Sequence, residues 1–212
     1  MGVRTGQVFS LTETNAPVPG CTVSEAVLPG VIVFSLAAGT DISAELHPYR
    51  KLLLGCGGVT EALLPDGGHP IRPGELLAVP ADTLVGLRSA AGAVYTEIDI
   101  GRNEAMNNVI RAGEVFQLAD LVPTQAGRIV NMDIVSNDKM KFVVMSFAAG
   151  TGLSEHAAPG EAVIFALEGE GIIRYEGQDH VIRAGEQFSF ARGGMHAVMA
   201  DKPFKMALLL TL

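Results

Sequence analysis

The sequence predicts an all-β protein built from two copies of one sandwich or barrel unit, and three observations predict it. An internal repeat comes first: SLAAGT at 35–40 returns as SFAAGT at 146–151, and HPIRPGE at 69–75 returns as HVIRAGE at 180–186, both at an offset of 111. Self-similarity at a fixed offset marks a duplicated structural unit. Each copy is also written in short apolar, β-branched-rich runs rather than in helical periodicity. Glycine-rich turn signals separate these runs at close intervals, as sandwiches and barrels require.

The elements follow in order. GQVFSL at 6–11 and GEVFQL at 113–118 open the two copies, here at an offset of 107, so the second copy carries a short insertion after this landmark. VIVFSLA at 31–37 and KFVVMSFA at 141–148 read as strands buried on both faces. From Ala162 to Ala191 apolar and polar positions alternate and are broken by EGEG, EGQD and RAGE, which gives a run of strands joined by tight turns. NEAMNNVI at 103–110 is a short helix or a linker, and it sets the expected domains at 1–104 and 105–212.

Composition narrows the function. Of 212 residues, 48% are hydrophobic and 18% charged, enough apolar material for large cores and for surface buried between subunits, so a homodimer is expected. The formal net charge is −8 and no Lys/Arg cluster occurs, which argues against nucleic acid or an anionic membrane as partner. No apolar run reaches the length of a membrane helix, and the N-terminus turns polar before a secretion-signal core forms, so a cytoplasmic location is expected. Cys21 and Cys56 form neither a disulfide framework nor a zinc motif, and Cys56 reads as a small buried residue.

The motifs of the second half, with Gly150, His156, Gly169, Gly185, Gly193 and His196 at the expected spacings, resemble those of the cupins. The whole chain resembles a bicupin. The resemblance implies two tandem double-stranded β-helix, or jelly-roll, barrels. It also implies four metal-ligand positions per barrel. In the second half these hold His156, Ala158, Ala162 and His196; in the first they hold Glu45, His47, Lys51 and Val85, on a frame of Gly39, Gly58, Gly74 and Pro80. A lysine and a valine at ligand positions argue against a divalent cation in the first barrel, where Lys51 is expected to pair with Glu45. That barrel is structural or binds its own organic ligand.

Two readings of the second barrel compete. In one, His156 and His196 hold a divalent metal (iron, manganese, nickel or zinc) for an oxidoreductase or isomerase. Such a site ordinarily needs a third protein ligand. Strand alternation argues against Glu161 and Glu155, unless a loop or bulge around Pro159–Gly160 turns Glu161 inward; water or a ligand carboxylate could also complete the sphere. In the other, the alanines leave a roomy apolar pocket lined by Phe165, Phe188, Phe190, Met145 and Met195. There the two histidines bind a small organic molecule and Arg192 stands at the rim. Whether the protein is an enzyme is open at this stage. His69 and His180 repeat and read as structural. Arg72 and Arg183 repeat too and are expected to form equivalent salt bridges with Glu75 and Glu186, worth little. EGEG precedes no helix and is not a phosphate loop.

Overall fold

The computed structural model describes residues 5–102 and 104–212. It is built almost wholly of β-strands, in two compact units. The first unit, Leu11–Gln117, holds a short helix α1 (Leu11–Thr14) and ten strands: β2 (Thr22–Leu28), β3 (Val31–Leu36), β4 (Thr40–His47), β5 (Arg50–Gly58), β6 (Thr60–Leu64), β7 (Gly67–Ile71), β8 (Glu75–Val79), β9 (Thr83–Ser89), β10 (Ala93–Gly101) and β11 (Val115–Gln117). The second unit is Leu118–Leu212 together with the N-terminal segment that ends at Ser10. It holds β1 (Val8–Phe9), β12 (Ile129–Ser136), β13 (Met140–Phe147), β14 (Thr151–Ala157), β15 (Glu161–Tyr175), β16 (Gln178–Arg183), β17 (Gln187–Phe190), β18 (Met195–Ala200) and β19 (Phe204–Thr211).

In the first unit a six-stranded sheet, β11-β8-β5-β10-β3-β2, and a four-stranded sheet, β4-β9-β6-β7, contribute side chains to one core of Leu36, Leu53, Ala62, Ile71, Leu77, Val79, Val85, Leu87 and Tyr95. The second unit repeats the arrangement, β1-β17-β15-β19-β13-β12 and β14-β18-β15-β16, except that the 15-residue β15 runs through both sheets. Its counterpart in the first unit is split into β5 and β6 at Val59. Phe147, Phe188, Phe190 and Phe204 anchor the second core, each at most 1% exposed. A phenyl group so buried is worth about 2–3 kcal/mol. These are two jelly-roll barrels, as expected.

The repeated opening strands do not go where their place in the chain suggests. β1 precedes the first unit and pairs with β17 of the second, Val8 opposite Phe188. β11 precedes most of the second unit and pairs with β8 of the first, Phe116 opposite Leu76. The units therefore divide after Gln117 and exchange their first strands, whereas the repeat and the 103–110 segment predict a division after residue 104. The reason is that near-identical strand signals, GQVFSL and GEVFQL, fit either sheet edge, and connectivity chooses between them. Residues 104–110 hold a bridge residue at Met106, a turn at Asn108–Val109 and no helix; Asn103 lies outside the described residues. Among the described residues, no helix is long and apolar enough to cross a membrane.

Deleting residues 1–10 exposes the edge of β17, removing ladder hydrogen bonds and the half-buried Val8. The expected cost is about 2–4 kcal/mol, read as faster amide exchange at Gln187–Ser189 with no change at Glu75–Leu77. Equal acceleration in both segments would show that the strand exchange is wrong.

Candidate functional site

The second unit brings His156 and His196 together. β14 and β18 are antiparallel with these two residues directly opposite, and their ring centroids lie 4.2 Å apart. One irregularity makes this possible. Leu153 pairs with Val198, but the next pair along is His156 with His196, so a bulge adds one residue to β14. The bulge restores His156 to the face of Leu153, and alternation then turns Ala158 inward as well, 3% exposed. The first unit has the same bulge, between Ile42 and Glu45, with Glu45 opposite Val85. His156, Ala158 and His196 thus share one face of the β14–β18 pair, and Glu45, His47 and Val85 share the equivalent face of β4–β9.

Each imidazole is held by its own main chain. His156 Nδ1 lies 2.8 Å from the Ser154 carbonyl and His196 Nδ1 3.2 Å from the Gly194 carbonyl. A carbonyl only accepts, so in both rings Nδ1 carries the proton and Nε2 keeps its lone pair. His196 is buried, 6% exposed, and sits between His156 and Tyr175, its cross-strand partner on β15. Burial, with a smaller contribution from the neighbouring His156, holds the His196 pKa below its ordinary value despite the Gly194 carbonyl. His196 is therefore neutral at pH 7. The Phe190 ring lies 4.3 Å from it, and Tyr175 and Phe188 continue the aromatic contact inward. Gly194 also makes room for this aromatic cluster, because a Cβ there would come within 2.5 Å of the Tyr175 ring.

Several sequence expectations are corrected. Phe165 belongs to the opposite face of β15, since Ala162, Ile164 and Ala166 point into the core. Met195 is likewise out of phase with His196 and Val198 and stands 39% exposed. Arg192 is exposed in the turn before β18. Glu161 is exposed, because Ala162 takes the inward position and the bulge lies at Leu153–His156 rather than at Pro159–Gly160. Ala162 pairs with Phe190, whereas Lys51 pairs with Val79 at the equivalent place in the first unit. The small and large partners have changed places, and the Phe190 ring occupies the room beside Ala162.

The donor set decides how far a metal fits. Two imidazole nitrogens converge, but Ala158 and Ala162 offer nothing. Among the described residues, no three His, Cys, Asp or Glu side chains are grouped as a metal would need. A divalent ion held by three protein ligands does not fit this barrel.

In the first unit Lys51 does not reach Glu45. Its ammonium, 3% exposed, donates to Glu97 Oε1 at 2.6 Å and lies 5.7 Å above the Tyr49 ring. Glu97 sits on β10 diagonal to Lys51, on the inward face shared with Tyr95. Glu45 pairs instead with His47 at 3.5 Å, at the more exposed rim. Sequence reasoning missed Glu97 and Tyr95. The available signal was the repeat, since at the same offset of 111 they align with the apolar Leu208 and Met206.

The remaining candidates are structural. The Arg72 and Arg183 amides each donate to Glu75 and Glu186 at 2.7 Å, so the repeated Arg-x-Gly-Glu closes a turn through the main chain. The two guanidinium groups are not equivalent: Arg72 lies 3.7 Å from Glu75, and Arg183 pairs with Glu170. His69 pairs with the exposed Asp66, and His180 packs on Phe188. Burial pushes the Cys56 thiol up to about 11, leaving it protonated and unreactive.

With this geometry in place, comparison with known proteins shows what the chain is similar to. Residues 143–211 match the family model described as Cupin domain. A Cupin 2 conserved barrel domain protein from Leptotrichia buccalis is 25% identical over 99% of this chain and 98% of its own, with a TM-score of 0.87. Salicylate 1,2-dioxygenase from Pseudaminobacter salicylatoxidans is 11% identical over 96% of this chain and 83% of its own, TM-score 0.68. AerE from Microcystis aeruginosa is 14% identical over 92% of this chain and 96% of its own, TM-score 0.53. The last two share the cupin fold alone. No curated protein matches the chain.

The buried imidazole and the buried ion pair each have a measurable consequence. The folded state resists protonating His196, while the unfolded chain protonates it near the ordinary histidine value of 6.5. At higher pH both states are neutral; as pH falls through 6.5 the unfolded state gains protons first, so stability declines until His196 itself titrates. Chemical denaturation of His196→Gln across this range should show a shallower loss than wild type. In the first unit, Lys51→Met leaves Glu97 half-stranded and should cost about 3 kcal/mol; Lys51→Met/Glu97→Leu should recover most of it, and a double variant no better than the single would refute the pairing.

Proposed function

We propose that the chain is a bicupin whose second barrel binds a small organic molecule at His156 and His196, without a tightly held metal. The observation that carries this reading is the anchored imidazole pair. Two imidazoles, each with Nδ1 on a main-chain carbonyl, lie side by side next to the aromatic rings of Phe190 and Tyr175. Such a pair favours a ligand that brings a hydrogen-bond donor, a hydroxyl or an enol, attached to an apolar or aromatic body. The aromatic side chains supply the apolar contact, and the imidazoles orient the polar end.

The same arrangement suits proton transfer. A neutral imidazole whose Nδ1–H is fixed by a carbonyl can take a proton at Nε2, and the neighbouring ring can share or relay it. Desolvation keeps His196 unprotonated near pH 7, and His156 is the more exposed ring of the pair. A metal-free isomerase or a binding protein would use the pair in these ways. The salicylate dioxygenase likeness extends to the fold and lends no ligand to this chain.

The test combines elemental analysis of untagged protein with ligand screening by thermal shift. Small phenols or enolisable acids should raise the melting temperature equally with and without chelator. His156→Ala/His196→Ala should abolish the shift while retaining the fold. Near-stoichiometric iron, manganese, nickel or zinc, absent from the double variant, would overturn this reading in favour of a metal-dependent enzyme whose coordination is completed by water or substrate.

A further inference from the structure

Two buried donors in the first barrel, on Lys51 and Tyr95, are incompletely met among the described residues. Lys51 carries three N–H donors but, among the described residues, its ammonium makes one hydrogen bond, to Glu97, although it is 3% exposed. Tyr95 is wholly buried, 0% exposed, and its hydroxyl has no partner among the described residues. Tyr95 and Glu97 stand two residues apart on the inward face of β10, so the ammonium that Glu97 holds lies beside the Tyr95 position. Burial, then the carboxylates of Glu97 and Glu45, keep the Tyr95 phenol protonated, hence a donor.

The second barrel has nothing comparable. At the equivalent positions stand Ala162 for Lys51, Met206 for Tyr95 and Leu208 for Glu97. The polar trio is particular to the first copy, and it faces a floor of apolar groups that includes Phe34, stacked on Tyr95 at 5.2 Å, together with Leu53, Val85 and Leu87.

We propose that the first barrel is a second, metal-independent binding site, which takes a small uncharged molecule with a carbonyl or hydroxyl oxygen. Lys51 Nζ and Tyr95 Oη donate to that oxygen, and the hydrocarbon part rests on the apolar floor. Lys51 serves as a tethered cation where the family resemblance would place a metal ligand. The charge balance selects against anions: Glu97 already neutralises Lys51, and Glu45 and Asp99 add negative charge around Tyr49 close by. This site does not depend on the role given to His156 and His196.

The test uses the full chain, with cyclohexanone as probe and cyclohexanecarboxylate as its charged counterpart, followed by saturation-transfer NMR in the presence of chelator. Wild type should bind the ketone with a Kd on the order of 1 mM, and the carboxylate at least about tenfold more weakly. Tyr95→Phe, which removes only an unpartnered hydroxyl and should fold as well as wild type, should weaken the ketone about five- to tenfold. Lys51→Met/Glu97→Leu should do the same without stranding a carboxylate. Ketone binding that survives both variants, carboxylate binding of equal strength, or no saturation transfer to the ketone would each overturn the proposal.

Discussion

The extra residue in β14, which has a twin in β4, is the constraint on which the imidazole pair depends. A β-strand presents alternate residues to alternate faces, so a single inserted residue reverses everything beyond it. With the bulge at Leu153–His156, His156 meets His196 across the pair and Ala158 turns into the core. Without it, Glu155 and Ala157 would face inward and the imidazole would point to solvent. The same bulge at Ile42–Glu45 sets Glu45 and His47 at the mouth of the first barrel. Duplication preserved the backbone device while the side chains it aims diverged.

That divergence follows a rule of packing. Protein interiors are filled close to crystal density, so a residue cannot shrink without a neighbour taking up the space. Lys51 opposite Val79 corresponds, in the other copy, to Ala162 opposite Phe190. One barrel holds an ion pair there, the other an aromatic wall against an imidazole pair. Two copies of one scaffold thus offer opposite chemistries: unsatisfied donors in the first, lone-pair acceptors in the second. Among the described residues, neither arrangement groups the three protein ligands that a divalent ion ordinarily requires, and both place their polar groups at the same end of the barrel frame.

The exchange of opening strands shows how local signals and global placement separate. Val8–Phe9 and Val115–Gln117 are strands in either location, because their β-propensity and apolar pattern are local properties. Which edge each covers depends on the path of the chain. The result also blunts both sheet edges, β17 and β8, that would otherwise present unpaired backbone groups.

Local pattern carried a great deal. The repeat, the β-branched runs and the glycine turns determined an all-β, two-unit chain. The spacing of Gly150, His156, Gly185, Gly193 and His196 determined which half held the imidazole pair. Turn chemistry and strand alternation act over a few residues, so both are written directly in the sequence. The tertiary structure decided the rest: that Phe165, Met195 and Glu161 face away from the pair, that Phe190 fills the space beside Ala162, that Lys51 finds Glu97 instead of Glu45, and that the first strands change units. Each of these depends on cross-strand register or on the position of a bulge. Register is settled by contacts between residues far apart in the chain, where one inserted residue is enough to send a side chain to the other face.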